Sequence, residues 1–192
     1  MPTITSIKLA RDRPIPHSTK VKILDVGDPL RIDVSVMLPW QKTWKHLGLI
    51  PLVGTEIILP LKLAFLCHAK EDKESVEAVG SKLLEDGFLT WYDDKDLRPG
   101  DDWQAVIERE ISGCDFFLAF LSSKSLSKIG YVNRELRYAM QQRELRPLGV
   151  RFILPVLIDE CTLPRELSHL HFVRLWEADA YEKLAQTMTS EA

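Results

Sequence analysis

From Lys62 onwards, short apolar runs alternate with stretches of helical periodicity, and this alternation leaves the chain few possible folds. The runs predicted as strands are 63–67, 88–92, 116–121, 152–158 and 172–175. Several of them contain only apolar residues, as in strands buried on both faces. Helical stretches separate them, so right-handed crossovers and a parallel sheet are expected. The sequence therefore predicts an α/β domain over residues 62–192, with a five-stranded parallel sheet covered by helices on both faces.

Residues 1–61 follow a different pattern. Apolar residues at alternate positions over 30–38 indicate a half-buried strand, and residues 21–26 precede it across a Gly-Asp-Pro turn, which favours a hairpin. Trp40, Trp44 and Leu47 share the spacing of a helical turn. Because about 60 residues are marginal for independent stability, we expect a small β-rich extension docked on the α/β domain.

Composition excludes several classes of protein. A net charge of −3 argues against general nucleic-acid binding. The most apolar stretch, 47–67, is interrupted by prolines and charges and cannot supply about 20 uninterrupted apolar residues, so no membrane span is predicted. The N-terminus lacks the pattern of a signal peptide, and the 3 cysteines form no CxxC pair. We therefore expect a cytoplasmic protein with reduced thiols.

Ligands of parallel sheets bind beyond the carboxyl ends of the strands. Those ends carry Cys67-His68, Asp93-Asp94 and Ser122-Ser123. The stretch 130–140 reads as an amphipathic helix that places Glu135 on the rim of its apolar face, one turn after Tyr131. We expect the site to form from those three loops and this helix.

Several chemistries do not fit these residues. A phosphoacceptor domain needs an Asp after the third strand and a Lys after the fifth, where this chain has Ser122 and Leu175-Trp176. Cys67 and His68 point to opposite sides of a strand and cannot act as a nucleophile pair. The sequence contains neither a dinucleotide-binding G-x-G-x-x-G nor a Walker loop.

The acidic loop 93–102 lacks the spacing of a calcium-binding loop. Asp101, with Gln104 three residues later, looks like a capping box at the start of the next helix. No metal and no resident cofactor are predicted.

Together, three motifs resemble the Toll/interleukin-1 receptor (TIR) domain, of the bacterial, NAD-cleaving type. Phe65-Leu66-Cys67-His68 to Asp72 is similar to the family's first motif, F-x-S-[HY]-x-x-x-D. Residues 91–101 resemble its second strand and BB loop, and Ser122-Ser123 with Tyr131-x-x-x-Glu135 resembles its Ser-then-WxxxE segment. The match covers roughly residues 62–185 and implies a flavodoxin-like sheet.

The resemblance also implies NAD⁺ glycohydrolase or cyclase activity in bacterial immunity, with NAD⁺ as substrate rather than cofactor. It makes Glu135 the catalytic carboxylate, because a carboxylate stabilises the oxocarbenium-like ribosyl centre left when nicotinamide departs. The residues that it implies for substrate binding are Phe65, Cys67, His68, Lys95, Arg98, Trp103, Ser122 and Tyr131.

The chain departs from the family pattern where Tyr131 replaces the usual Trp and Cys67 the usual Ser. The leading hypothesis is an effector of bacterial antiphage immunity that is switched on by TIR–TIR self-association. The alternative is a non-catalytic adaptor or scaffold that uses the same contacts. In either case residues 1–61 are a candidate sensor or partner-binding element.

Overall fold

The computed structural model describes residues 6–9, 20–24, 31–37, 45–53, 56–59, 61–92, 102–127 and 134–190. The chain divides into two compact units, Met1–Leu61 and Lys62–Ala192. Within the described ranges, no helix is both long and apolar enough to cross a membrane.

The N-terminal unit contains one five-stranded sheet in the order β1-β5-β4-β3-β2. Its strands are β1 (Ser6–Leu9), β2 (Lys20–Leu24), β3 (Arg31–Met37), β4 (Lys45–Val53) and β5 (Glu56–Leu59). The predicted hairpin is confirmed, because β2 and β3 pair antiparallel. On β3, Val34 and Val36 are buried while Asp33 and Ser35 are half-buried, as the alternation indicates.

The helical turn predicted through Leu47 is wrong. Leu47 lies in β4, where the register with β3 shifts between Val34 and Ser35, so that Gly48 and His46 are paired and Leu47 is skipped. The extra residue of a β-bulge interrupts the alternation of a strand, so the spacing around Leu47 can be mistaken for that of a helical turn. Trp40 and Trp44 lie outside the described residues.

The second unit contains the predicted α/β architecture. Its strands are β6 (Leu63–Cys67), β7 (Leu89–Trp91), β8 (Phe116–Leu121), β9 (Ile153–Leu157) and β10 (Val173–Arg174). Its α-helices are α1 (Lys73–Glu85), α2 (Trp103–Gly113), α3 (Ser123–Leu126), α4 (Arg134–Glu144) and α5 (Ala180–Thr189). Short 3₁₀ turns span Lys70–Asp72 and Arg165–Leu167.

All strands of this sheet pair in parallel, in the order β10-β9-β8-β6-β7. Numbered from the first strand of the unit, this is 2-1-3-4-5, the flavodoxin-like order that the resemblance implies. The predicted fold class is therefore confirmed.

One face of this sheet is covered by α1 and α5. Ala64 and Leu66 of β6 pack in a buried cluster with Val76 and Leu83 of α1 and with Leu184 of α5. Successive strand residues point to opposite faces, so Phe65 and Cys67 of β6 belong to the other face.

That other face carries a row of aromatic rings across four neighbouring segments of the sheet. The ring of Phe65 stacks on Trp91 at 4.8 Å between centroids and on Phe117 at 5.3 Å. Phe117 contacts Phe152 at 6.3 Å, and the guanidinium carbon of Arg146 lies 3.4 Å from the Phe152 centroid. This aromatic row, Trp91-Phe65-Phe117-Phe152, is buried throughout.

Pro155 fits inside β9 because its ring faces the short edge strand. The Leu157 carbonyl accepts from Leu175 N–H beyond β10, whereas Ile158 N–H donates to Leu121 on the β8 side. Backbone groups of a parallel strand alternate sides residue by residue, so Pro155 faces the β10 side, like Leu157. The pairing of β9 with β10 begins at Val156, one residue after Pro155. The missing N–H of Pro155 therefore removes no hydrogen bond between these two strands.

The capping box predicted from Asp101 is wrong by one residue. Helix α2 begins at Trp103, and its N-cap is Asp102, whose side chain accepts from Ala105 N–H at 3.2 Å. Gln104 instead donates from Nε2 to Glu108 Oε1 at 3.0 Å. Adjacent aspartates are equally competent caps, so the local pattern does not distinguish between them.

Removing one ring from the aromatic row should destabilise the second unit. Phe117 has no exposed surface, so Phe117→Ala is expected to lower the free energy of unfolding by about 3–5 kcal/mol through lost burial and a cavity. Urea unfolding followed by circular dichroism measures this. Leu148→Ala is the control, since Leu148 is fully exposed and should change stability by about 0.5 kcal/mol or less. Equal effects of the two substitutions would contradict the structural importance of the row.

Candidate active site

Glu135 lies in the first turn of α4, at the edge of the sheet where the strands end. Its side chain is half-buried, while Leu136 and Ala139 next to it are buried against the domain. This agrees with the rim position predicted for Glu135. The N-terminus of a helix carries partial positive charge, which favours a carboxylate there.

Glu135 lines a shallow groove between α2 and α4 that is open to solvent. The other side chains that shape it are Trp103, Gln104, Ile107, Glu108, Ile111, Arg134 and Tyr138. Mostly apolar atoms form its wall.

The two helices that form the groove run side by side and are joined through the C-terminal end of α2. Ser112 on α2 donates to the Glu108 carbonyl at 2.7 Å, so its oxygen accepts from the Tyr138 hydroxyl of α4 at 2.8 Å. Arg146, just after α4, donates from Nη2 to the carbonyls of Ser112 and Cys114, both at 3.1 Å. These contacts fix α4, and with it Glu135, relative to α2.

Trp103 stands at the other end of the groove, at the first position of α2. Its side chain is 53% exposed, and the Arg134 guanidinium carbon lies 5.9 Å from its ring centroid. Trp103 is therefore a surface aromatic residue beside Glu135.

The residues predicted at the end of β6 are placed differently. Phe65 is 3% exposed and Cys67 6% exposed, and the Phe65 ring is stacked on both sides by other rings of the aromatic row. His68 is half-buried, and its Nδ1 lies 3.0 Å from the Leu66 carbonyl. A carbonyl can only accept, so Nδ1 carries the proton and Nε2 remains as an acceptor when the ring is neutral.

Ser122 is 2% exposed and has a structural role. Its hydroxyl donates to Asp72 Oδ2 at 2.9 Å and accepts from Ser125 N–H at 3.1 Å, which caps α3. Burial raises the pKa of the Asp72 carboxyl, although the Ser122 hydrogen bond opposes that shift. The pair joins the turn before α1 to the segment after β8.

A second carboxylate, Asp159 after β9, also binds the segment that follows β8. Ser123 donates to Asp159 through its backbone N–H at 2.7 Å and through its hydroxyl at 2.6 Å. The hydroxyl bond is the main reason that the pKa of Asp159 is lowered. Burial and the nearby Asp159 raise the pKa of the Cys161 thiol to about 11, so this cysteine is a poor nucleophile at neutral pH.

The structure thus brings Trp103 and Glu135 together in one groove and places Phe65, Cys67 and Ser122 in buried structural contacts. Lys95, Arg98 and Tyr131 lie outside the described residues. The sequence reasoning missed Glu108 and Tyr138. Gln104 and Glu108 are four residues apart, as are Ile107 and Ile111, and this spacing indicates that they share one face of α2. It does not indicate that α4 packs beside that face.

Comparison with known proteins supplies the family. A family model described as "TIR domain" matches residues 64–188. Together with the flavodoxin-like sheet and a carboxylate at its carboxyl edge, this defines a TIR-type α/β domain. The chain belongs to the TIR domain family.

Curated relatives are similar over part of this domain. The chain is 38% identical over 93 residues to the NAD(+) hydrolase PdTIR of Paracoccus denitrificans, covering 48% of this chain and 30% of that protein. It is 31% identical over 93 residues to the 2' cyclic ADP-D-ribose synthase BtTIR of Bacteroides thetaiotaomicron, covering 48% of this chain and 31% of that protein. The chain therefore spans less than a third of the length of these relatives.

Solved structures agree on the fold. The TIR domain of the Toll-related receptor TRR-2 from Hydra magnipapillata superimposes with a TM-score of 0.55 at 20% identity, covering 66% of this chain and 98% of that one. A metazoan TIR-STING receptor from C. gigas gives a TM-score of 0.54 at 19% identity, over 66% of this chain and 39% of that one.

The Asp72–Ser122 pair has a testable pH dependence. A carboxyl whose pKa is raised on folding favours folding when protonated, so this contribution is lost as pH rises through the folded-state pKa. Asp72→Asn keeps an acceptor for Ser122 and removes the charge. Relative to the Asp72→Asn variant, wild-type stability should therefore fall between about pH 4, the usual value for an Asp, and neutrality, as measured by urea unfolding across that range.

Asp72→Ala serves as the matched comparison. It removes the acceptor and leaves the buried Ser122 hydroxyl without its partner, which should cost about 1–3 kcal/mol at every pH. If the Asn and Ala substitutions have the same effect, the hydrogen bond does not stabilise this edge of the sheet.

Proposed function

We propose that this protein cleaves the bond between nicotinamide and ribose in NAD⁺, with Glu135 as the catalytic carboxylate. The observation that carries the proposal is the position of Glu135, at the carboxyl edge of the sheet and in one groove with an exposed aromatic ring. The names of the similar proteins, NAD(+) hydrolase PdTIR and 2' cyclic ADP-D-ribose synthase BtTIR, supply the substrate.

In the proposed reaction, the bond between ribose C1′ and the nicotinamide nitrogen breaks, and nicotinamide leaves with the electron pair as a neutral molecule. The positive charge moves to the ribosyl centre, where the Glu135 carboxylate stabilises it. Water then adds to C1′ and releases a proton, giving ADP-ribose. Attack by a hydroxyl of the same molecule would give a cyclic product instead.

Because nicotinamide is already a cationic leaving group, this reaction requires no strong general acid. The main contribution of the protein is to hold a negative charge next to C1′. The contacts of Tyr138 with Ser112 and of Arg146 with the α2 carbonyls support this, since they fix the helix that carries Glu135.

We also propose that the protein works as a self-assembled effector in antiphage immunity. The groove beside Glu135 is shallow and open to solvent, so it encloses only a small part of NAD⁺. The adenosine end then needs contacts outside the groove, and Lys95, Arg98 and Tyr131 or a second copy of the chain would supply them. Activity per molecule should consequently rise with protein concentration.

The test is incubation of wild type and Glu135→Gln with NAD⁺, with nicotinamide and ADP-ribose products separated by chromatography. Loss of the carboxylate charge should lower kcat by about 100-fold or more. Glu144→Gln is the matched control, since Glu144 is exposed at the far end of the same helix, and it should leave kcat unchanged.

The assay is run over a range of protein concentrations, with and without a crowding agent. Unchanged NAD⁺ under all conditions, with wild type and Glu135→Gln alike, would contradict the proposal and favour the adaptor alternative. A rate per molecule that does not depend on concentration would contradict activation by self-assembly alone.

A further inference from the structure

We infer that Tyr138 is a positioning residue, which sets the rotation of α4 about its own axis and so places the Glu135 carboxylate. The inference rests on the proposed function, in which the position of that carboxylate decides the rate. Tyr138 follows Glu135 by three residues, which is about 4.5 Å along the helix axis, and the two side chains leave the helix about 60° apart. Any rotation of α4 that displaces one of them therefore displaces the other.

The hydroxyl of Tyr138 ends a short chain of hydrogen bonds to α2. The Ser112 hydroxyl donates its one proton to the Glu108 carbonyl, one turn earlier on α2, at 2.7 Å. Its oxygen is left to accept, and the Tyr138 hydroxyl donates to it at 2.8 Å. Because Ser112 is itself held by its own helix, this bond joins α4 to a fixed point of α2.

Burial holds α4 on the domain but does not by itself fix the rotation of the helix. Leu136 and Ala139 are buried, and the attraction between apolar surfaces is non-directional. A hydrogen bond, in contrast, weakens steeply when its geometry departs from the ideal. Arg146 also binds α2, but it follows Glu135 by eleven residues and lies beyond the last residue of α4. Tyr138 is therefore a directional contact much closer to Glu135 than Arg146 is.

A small rotation of α4 has a large effect on the proposed reaction. The end of a long side chain lies about 5–6 Å from the helix axis, so a rotation of about 10° moves the Glu135 carboxylate by about 1 Å. A misplacement of about 1 Å can cost about 100-fold in rate. Because Glu135 acts on charge that develops in the transition state, the loss falls on kcat and leaves KM nearly unchanged.

The kinetic test removes the bond from each side in turn. Tyr138→Phe deletes the hydroxyl and keeps the ring, and Ser112→Ala deletes the acceptor. Each should lower kcat for NAD⁺ cleavage by about tenfold or more, with little change in KM. The double variant should be no slower than either single variant, because all three lack the same bond. Ser112→Thr should restore most of the kcat that Ser112→Ala loses, because a threonine hydroxyl in a helix also bonds to the carbonyl one turn earlier.

Two matched controls separate positioning from stability. Tyr181→Phe also removes a hydroxyl that joins two helices, since Tyr181 on α5 donates to Asp86 at the end of α1, on the opposite face of the sheet. Ser81→Ala removes a hydroxyl bond to a carbonyl of its own helix at 2.9 Å, as Ser112→Ala does on α2. Both controls should leave kcat unchanged. An unchanged kcat in Tyr138→Phe, an equal fall in Tyr181→Phe, or additive losses in the double variant would overturn the inference.

Residual dipolar couplings of the full chain, measured by NMR, test the rotation without reference to activity. Along a helix these couplings oscillate with the helical period, and their phase reports the rotation of the helix about its axis. The couplings of α4 should change in the same way in Tyr138→Phe and Ser112→Ala and should stay as in wild type in Tyr181→Phe. If they do not change, the inference is overturned whether or not NAD⁺ is cleaved. If they change but wild type does not cleave NAD⁺, the proposed function fails and the placement of Glu135 by Tyr138 stands.

Discussion

The aromatic row on one face of the parallel sheet is the contact on which the site depends. Phe65 stacks between Trp91 and Phe117, and Phe152 extends the row to the strand that follows α4. Arg146 lies on Phe152 while it donates to the carbonyls at the end of α2. One side chain therefore connects the sheet to both helices of the groove, and the position of Glu135 follows from that connection.

Much of the fold could be predicted from the sequence, because strands buried on both faces appear as continuous apolar runs. Residues 116–121 were predicted as a strand with the bounds that the structure gives. Where two neighbouring residues have the same chemistry, as Asp101 and Asp102 do, the pattern does not decide which one caps the helix. Leu47 was misassigned because its spacing from Trp44 suits a helical turn as well as a bulged strand.

Only part of the site could be predicted from the sequence. The position of Glu135 on the rim of α4 follows from helical periodicity alone. The residues that lie across the groove from it cannot be predicted in that way. Glu108 and Tyr138 become part of the site only because α2 and α4 pack side by side. Such packing depends on contacts between residues that are distant in the sequence, and no local pattern reports them.

The joining of α2 and α4 at one end has a mechanical consequence. Trp103 lies nine residues before Ser112, which is about 13 Å along a helix axis that rises 1.5 Å per residue. On α4, by contrast, Tyr138 follows Glu135 by only three residues, so the bond to Ser112 lies within one turn of Glu135. A tilt of α2 by about 5° about Ser112 would therefore move Trp103 by about 1 Å while Glu135 stays in place, so the width of the groove depends on the orientation of α2.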